Sequence, residues 1–143
     1  IAAECWAMRD YVSLSPGKLN DALAILAFEH RDKIVQRNAT IIGANLSTAN
    51  QWITEHTGIL SWTPPRGGLL ALLRYNIDIA SLDLANKLAD EYSVMLAPGS
   101  AFGFEHHLRI GIGQEPSVFA AGLERAGACF SSLQADGFGS LQA

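Results

Sequence analysis

The sequence is short of charge, and of positive charge most of all. Only 17% of its 143 residues are charged, and ten Lys and Arg stand against fourteen Asp and Glu, for a formal net charge of −4. A chain with no basic excess has no field to draw in phosphates, which excludes a nucleic-acid partner on electrostatic grounds. No apolar run approaches the roughly 20 residues that cross a bilayer, and no basic segment leads into a secretory core, so neither a membrane span nor export is expected. Cysteine is nearly absent. Cys5 and Cys129 lie far apart without metal-type spacing among helix-forming apolar residues, and both read as buried free thiols of a reducing cytoplasm. The histidines include no His-x-x-x-His pair, and the adjacent His106 and His107 would point to opposite faces of a strand, which argues against a metal site. A starting methionine is also missing: Ile1-Ala2-Ala3-Glu4-Cys5-Trp6 reads as the middle of an amphipathic helix, as in a cut chain.

What is abundant is apolar side chain, at 49% of the residues. That is rich for a free-standing domain of this length and implies a surface meant to be covered. Tyr11 to Gly17 reads as a loop by its Ser, Pro and Gly content. Leu19, Leu23, Leu26 and Ile34 then recur near helical spacing, and a second helical register runs over 38–57 through Ile42, Leu46, Ala49 and Ile53, stopping at Gly58 as a C-cap. Ile59–Trp62 and Leu69–Tyr75, separated by Pro64-Pro65-Arg66-Gly67-Gly68, are too short and too bounded for helices and read as strands. Ser81 is a plausible N-cap for a helix over Leu82–Tyr92; Val94–Ala97 reads as a strand ending at the Pro98-Gly99-Ser100 turn. His107 to Ile112 alternates as a further strand, and Pro116 opens a last helix with Phe119, Leu123, Ala126, Phe130 and Leu133 on one stripe. The expected fold class is α+β: two long helices, short and mostly antiparallel strands, and a closing C-terminal helix packed on one face. Residues 1–136 form one domain in this reading and 137–143 a loose tail.

Few residues invite chemistry. Alternation puts Arg109 on the face opposite Leu108 and Ile110, where a covered guanidinium must find an anion. By default that anion is a carboxylate of the same chain; the functional alternative is a planar fork awaiting the carboxylate of a ligand. Ser15-Pro16-Gly17-Lys18 fits the Ser-x-x-Lys spacing of some acyl-enzyme hydrolases, but no companion box follows, and it reads as a loop capping a helix. Gly111-Ile112-Gly113 lacks the third glycine of a dinucleotide fingerprint. Glu105 reads as a solvated strand residue, and Trp52 and Trp62 as core.

Three short pieces, in this order and spacing, resemble the C-terminal part of class I/II (fold type I) aminotransferases. Pro64-Pro65-Arg66-Gly67-Gly68 is similar to the family's Pro-x-Gly-Gly strand start, Val94 to Gly103 to its Val-x-x-x-Pro-Gly-x-x-Phe-Gly stretch, and His107-Leu108-Arg109-Ile110-Gly111 to its Leu-Arg-Ile-Gly-like strand. The resemblance implies that Arg109 grips the α-carboxylate of an amino-acid substrate. It also implies that Arg9 to Pro16 matches the loop reaching toward the neighbouring subunit's site, so that Ser13 and Ser15 line a site across a homodimer. The cofactor implied for the full-length enzyme is pyridoxal phosphate. The family's cofactor lysine and its ring-binding residues lie upstream of the region that resembles residue 1, and Lys18, Lys33 and Lys87 match none of them. By this reading the large cofactor-binding domain is absent, no cofactor is bound to this piece, it carries no catalytic residue of its own, and it is inactive alone. A related cofactor reaction (elimination, decarboxylation or cyclisation) would use the same arginine, and a non-catalytic amino-acid-binding module is the alternative outside enzymes.

Overall fold

The computed structural model describes residues 1–12 and 17–135, with Ser13, Ser15 and the expected tail at 137–143 lying outside them. Its elements are α1 (Ala2–Val12), α2 (Lys18–Glu29), α3 (Arg31–Glu55), β1 (Leu60–Trp62), β2 (Leu70–Tyr75), α4 (Ser81–Tyr92), β3 (Ala97–Pro98), a 3₁₀ turn (Gly99–Phe102), β4 (His107–Gly111) and α5 (Pro116–Ala135). No helix among the described residues is long and apolar enough to cross a membrane. The chain forms two compact units, Ile1–Arg37 and Asn38–Ala143.

The first unit holds α1, α2 and the first turns of α3. Its apolar side chains stay bare: Leu19, Leu23, Leu26 and Phe28 are all exposed. Cys5 is exposed too, which corrects the expectation of a buried thiol. It lies on a helix whose described side chains are almost all exposed, so helix-forming neighbours there do not amount to a core. The break between the two long helices also differs from expectation. It falls at His30 (φ −105°, ψ 14°), and α3 then runs without interruption past Ile34 and Asn38. Val35-Gln36-Arg37 contains no glycine, proline or cap residue that could have ended it.

The second unit carries the core. Its four strands lie in the order β1-β2-β4-β3, every neighbouring pair antiparallel. One face of the sheet presents Leu60, Ala71, Leu73, Tyr75, Leu108 and Ile110, all buried against Leu84 and Leu88 of α4 and Phe119, Leu123 and Phe130 of α5. Trp52 of α3 joins this layer edge-on to Phe130 (6.1 Å between ring centres). Cys129 is buried here, and burial holds its thiol above the ordinary range, as suits an inert core cysteine. The α+β class and the closing helix are therefore as the periodicity predicts.

Two local expectations fail for physical reasons. The strand expected over Val94–Ala97 shrinks to Ala97–Pro98. Val94, just beyond α4, is tied back to the helix instead, its N–H donating to Leu88 O (2.9 Å) after Ser93 has turned the chain through a left-handed cap (φ 54°). Pro98, with no N–H to give, is tolerated because β3 is an edge. Ser81 is not the N-cap of α4 but its first residue. Ala80 sits at the cap without a side-chain bond, and the free N–H of Ser81 donates instead to Glu105 Oε1 (2.5 Å) from outside the helix.

Candidate functional site

Among the described residues, no helix of the core layer lies on the opposite face of the sheet. Ser61, Leu70, Leu72, Arg74, His107 and Arg109 occupy it, alternating with the core positions. Arg109 sits near its middle, opposite Leu72 of β2 on one side and Ala97 of β3 on the other. Its neighbours Leu108 and Ile110 are 0% and 5% exposed, so the strand is fixed to the core on both sides of it. The strand's exit is fixed as well. Asn45 of α3 is fully buried and donates from Nδ2 to Ile112 O (3.1 Å) and Gln114 O (2.7 Å).

The half-buried guanidinium of Arg109 stacks on Phe102, its Cζ 4.4 Å from the ring centre. That shelf depends on Gly99. A Cβ there would lie 2.1 Å from Phe104 O and 2.6 Å from His107 O, so only glycine lets the 3₁₀ turn press against the start of β4 and deliver Phe102 under the arginine. Phe104 N–H returns to Gly99 O (3.0 Å), and Gly103 closes the turn at φ 79°. The Pro-Gly-x-x-Phe-Gly pattern is thus a device for shaping this face.

Among the described residues no carboxylate lies within ion-pair distance of Arg109; the ion pairs they form include Ile1–Glu4, Arg31–Asp32 and Lys87–Glu91, none of which involves it. Among these residues, then, the same-chain ion pair that would be the default for a strand arginine is not formed. Within the described residues the fork has π support on one side and no anion beside it. Such a group can bind a planar carboxylate through two parallel N–H···O bonds.

Sequence reasoning took Glu105 for a solvated strand residue and missed its task. Although exposed, its Oε1 receives the N–H groups of Ser81 (2.5 Å) and His106 (3.3 Å), and these bonds, the Ser81 ones first, hold the carboxyl below the usual range. Ser81 Oγ accepts from Ser100 N (3.1 Å), so one small cluster joins α4 to the turn that carries Phe102. Trp62, read as core, is only partly buried; its Nε1 donates to Asn50 Oδ1 (3.1 Å), and it borders a concavity of about 580 Å³ on the open face.

The residues present do not fit pyridoxal phosphate. Holding it takes an amine for the aldehyde and partners for the ring. Of the three lysines, Lys87 lies on α4 in an ion pair with Glu91 (2.7 Å), and Lys18 and Lys33 belong to the first unit. The open face of the sheet carries no lysine.

Residues 15–125 match the family described as aminotransferase class I and II. The chain belongs to this family. It is 30% identical over 111 residues to capreomycidine synthase of Streptomyces vinaceus, covering 78% of this chain and 28% of that protein. It is 36% identical over 78 residues to nicotianamine aminotransferase A of Hordeum vulgare, covering 51% and 17%. Among solved structures, a PLP-dependent aminotransferase from Streptococcus suis superposes with a TM-score of 0.83 at 29% identity, over 87% of this chain and 33% of that one. The PLP-dependent cyclase OrfR superposes with a TM-score of 0.79 at 27% identity, over 91% and 35%. The chain therefore spans about a third, or less, of the length of the relatives it matches. With the core layer and the four-stranded antiparallel sheet, these matches give it the fold of an aminotransferase small domain.

Proposed function

We propose that residues 1–136 are the C-terminal small domain of a longer, pyridoxal-phosphate-dependent aminotransferase, and that Arg109 binds the α-carboxylate of its substrate. The reaction is transfer of an amino group between an amino acid and a 2-oxo acid. The observation that carries this reading is an arginine in a rigid strand, stacked on Phe102, with no carboxylate of the described residues to neutralise it. In this scheme the domain orients the substrate, while the cofactor and its lysine belong to an N-terminal large domain. The bare apolar helices of the first unit are surface for that domain and for a second subunit of a cytoplasmic homodimer. Ser13 and Ser15, outside the described residues, are placed by resemblance alone at the neighbouring subunit's site.

The test is Arg109→Lys in the full-length enzyme. An ammonium keeps the charge but loses the two-point grip. We expect kcat/KM for amino acids to fall by an amount worth about 1–3 kcal/mol, with cofactor occupancy unchanged. Unaltered kinetics would refute the role. The isolated chain should neither bind the cofactor covalently nor turn over; a stoichiometric borohydride-fixed adduct on one lysine would overturn that.

A second reading, cyclisation of an amino acid, rests on the likeness to the cyclase OrfR. The same arginine would serve. Product analysis separates the two: transfer leaves a 2-oxo acid, whereas cyclisation leaves the nitrogen in the product.

A further inference from the structure

Arg109 is the last residue of β4 with a strand on each side. β3 pairs with Leu108 and Arg109 and goes no further, whereas β2 continues along β4 to Ile110 and Gly111. Beyond the arginine no strand of the described residues flanks β4 on the β3 side, and the exit toward α5 needs another support. Asn45 supplies it. Ile112 N–H donates to Leu69 O (2.8 Å), and the carbonyls of Ile112 and Gln114 accept from Asn45 Nδ2 (3.1 and 2.7 Å). Asn45 lies on the buried stripe of α3 with Ala49 and Trp52, at a position where an apolar side chain is the ordinary occupant. It is fully buried, and its Oδ1 has no partner among the described residues. A buried acceptor left unpaired costs stability, so the carboxamide is poorly suited to filling a core. It is well suited to gripping two carbonyls, because it brings two N–H groups where an apolar side chain or an ionised aspartate brings none. The stack on Phe102 places one face of the guanidinium (4.4 Å). How far along the sheet the fork stands is set by β4, whose exit Asn45 holds just past Arg109. A two-point grip is spoiled by errors beyond about 0.5 Å or about 10–20°.

We infer that Asn45 is a positioning residue for Arg109: its carboxamide clamps the end of β4 that β3 leaves unsupported, so that both N–H groups of the fork meet the α-carboxylate. This rests on the α-carboxylate reading of Arg109 and adds the residue that sets the fork. Asn45 touches no substrate in this scheme and acts only through the backbone of Ile112 and Gln114.

The test uses the full-length holoenzyme. The quantity read is the ratio of kcat/KM for alanine to that for ethylamine, the same amine without a methyl carbon's worth of carboxylate to hold, in wild type, Asn45→Leu, Asn45→Ser, Arg109→Lys and the double variant Asn45→Leu with Arg109→Lys. Asn45→Leu keeps the volume and removes both donors. Asn45→Ser is smaller and leaves room for a water that can donate to the same carbonyls, so it loosens the clamp without baring them and serves where the leucine variant fails to fold. Asn45→Leu should lower the ratio roughly 10-fold, for a shift of the fork short of the 1 Å that costs about 100-fold, and Asn45→Ser should lower it by less. In the double variant the ratio should fall no further than in Arg109→Lys alone, because the clamp has no grip left to position. A role confined to stability would lower both substrates alike. The positioning role is therefore overturned if the folded Asn45 variants leave the ratio unmoved, or if the two losses add in full in the double variant. Arg109→Lys separates the two readings. If it lowers the ratio while the Asn45 variants do not, only the positioning role fails; if it leaves the ratio unmoved, the α-carboxylate assignment fails and the positioning role with it.

Discussion

Replacing Gly99 by alanine should damage the site from the backbone outward. The added Cβ would stand 2.1 Å from Phe104 O, 2.6 Å from His107 O and 2.8 Å from His107 Cβ, and two of these three atoms are backbone that no rotamer change can clear. Relief requires the 3₁₀ turn and the start of β4 to part by about 1 Å, given ordinary carbon–oxygen contacts near 3.3 Å. That movement strains or breaks the Phe104 N–H bond to Gly99 O (3.0 Å) and the Ser100 N–H bond to Ser81 Oγ (3.1 Å). Overpacking costs about 1–3 kcal/mol and each lost hydrogen bond about 1 kcal/mol, for a total of about 3–5 kcal/mol. Gly103 supplies the control. Its Cβ would meet nothing within 4 Å, and only the positive φ of 79° is strained, so Gly103→Ala should cost about 1–2 kcal/mol. Equilibrium urea unfolding of this chain followed by tryptophan fluorescence reads both. The Gly99→Ala midpoint should drop by at least about 1 M and by clearly more than that of Gly103→Ala. Equal losses, or a smaller loss at Gly99, would refute the close approach and with it the explanation of the Phe102 shelf.

Two further outcomes follow from the cap chemistry. Glu105 is held below its ordinary range by the bonds from Ser81 and His106, so its folded value lies under its unfolded one. Its contribution is present above the unfolded value, near pH 4.5, and is lost as the pH falls through the depressed folded value; Glu105→Gln should remove that part of the acid dependence in urea midpoints measured from pH 7 to pH 3. An unchanged pH profile would count against the remote cap. Ser93 ends α4 in the left-handed region at φ 54°, so Ser93→Gly should stabilise the chain by about 0.5–1 kcal/mol, read as a raised melting temperature; a lowered one would mean that its side chain has a use not seen here.

The face on which Arg109 stands was legible because β4 alternates cleanly, with Leu108 and Ile110 marking the core side. Arg74 was not. Leu70-Ala71-Leu72-Leu73 is apolar on both faces, which hides the period of two, and the nearness of Arg74 to His107 and Arg109 exists only once β2 pairs with β4 in its register. Ser81 looked like a cap because serine so often is one. The carboxylate that does the work is Glu105, 24 positions further on, and local sequence carries no trace of a bond over that span. The halt of the first long helix at His30 is equally unmarked, since neither glycine nor proline stands there. Val94-Met95-Leu96 has strand composition, yet the left-handed turn at Ser93 leads it over the end of α4, with Met95 90% exposed. The family pattern around Pro98 and Gly99 was readable as a pattern; its reason, two backbones with no room for a Cβ between them, is a tertiary fact.

The most direct test of the central claim is a crystal structure of the full-length enzyme with an unreactive amino-acid or 2-oxo-acid analogue bound. The account requires the analogue's α-carboxylate to lie on the Arg109 fork, both oxygens within about 2.7–2.9 Å of guanidinium nitrogens, with the cation still stacked on Phe102. An α-carboxylate bound elsewhere, with Arg109 closed into an ion pair with a carboxylate of the protein, would contradict it.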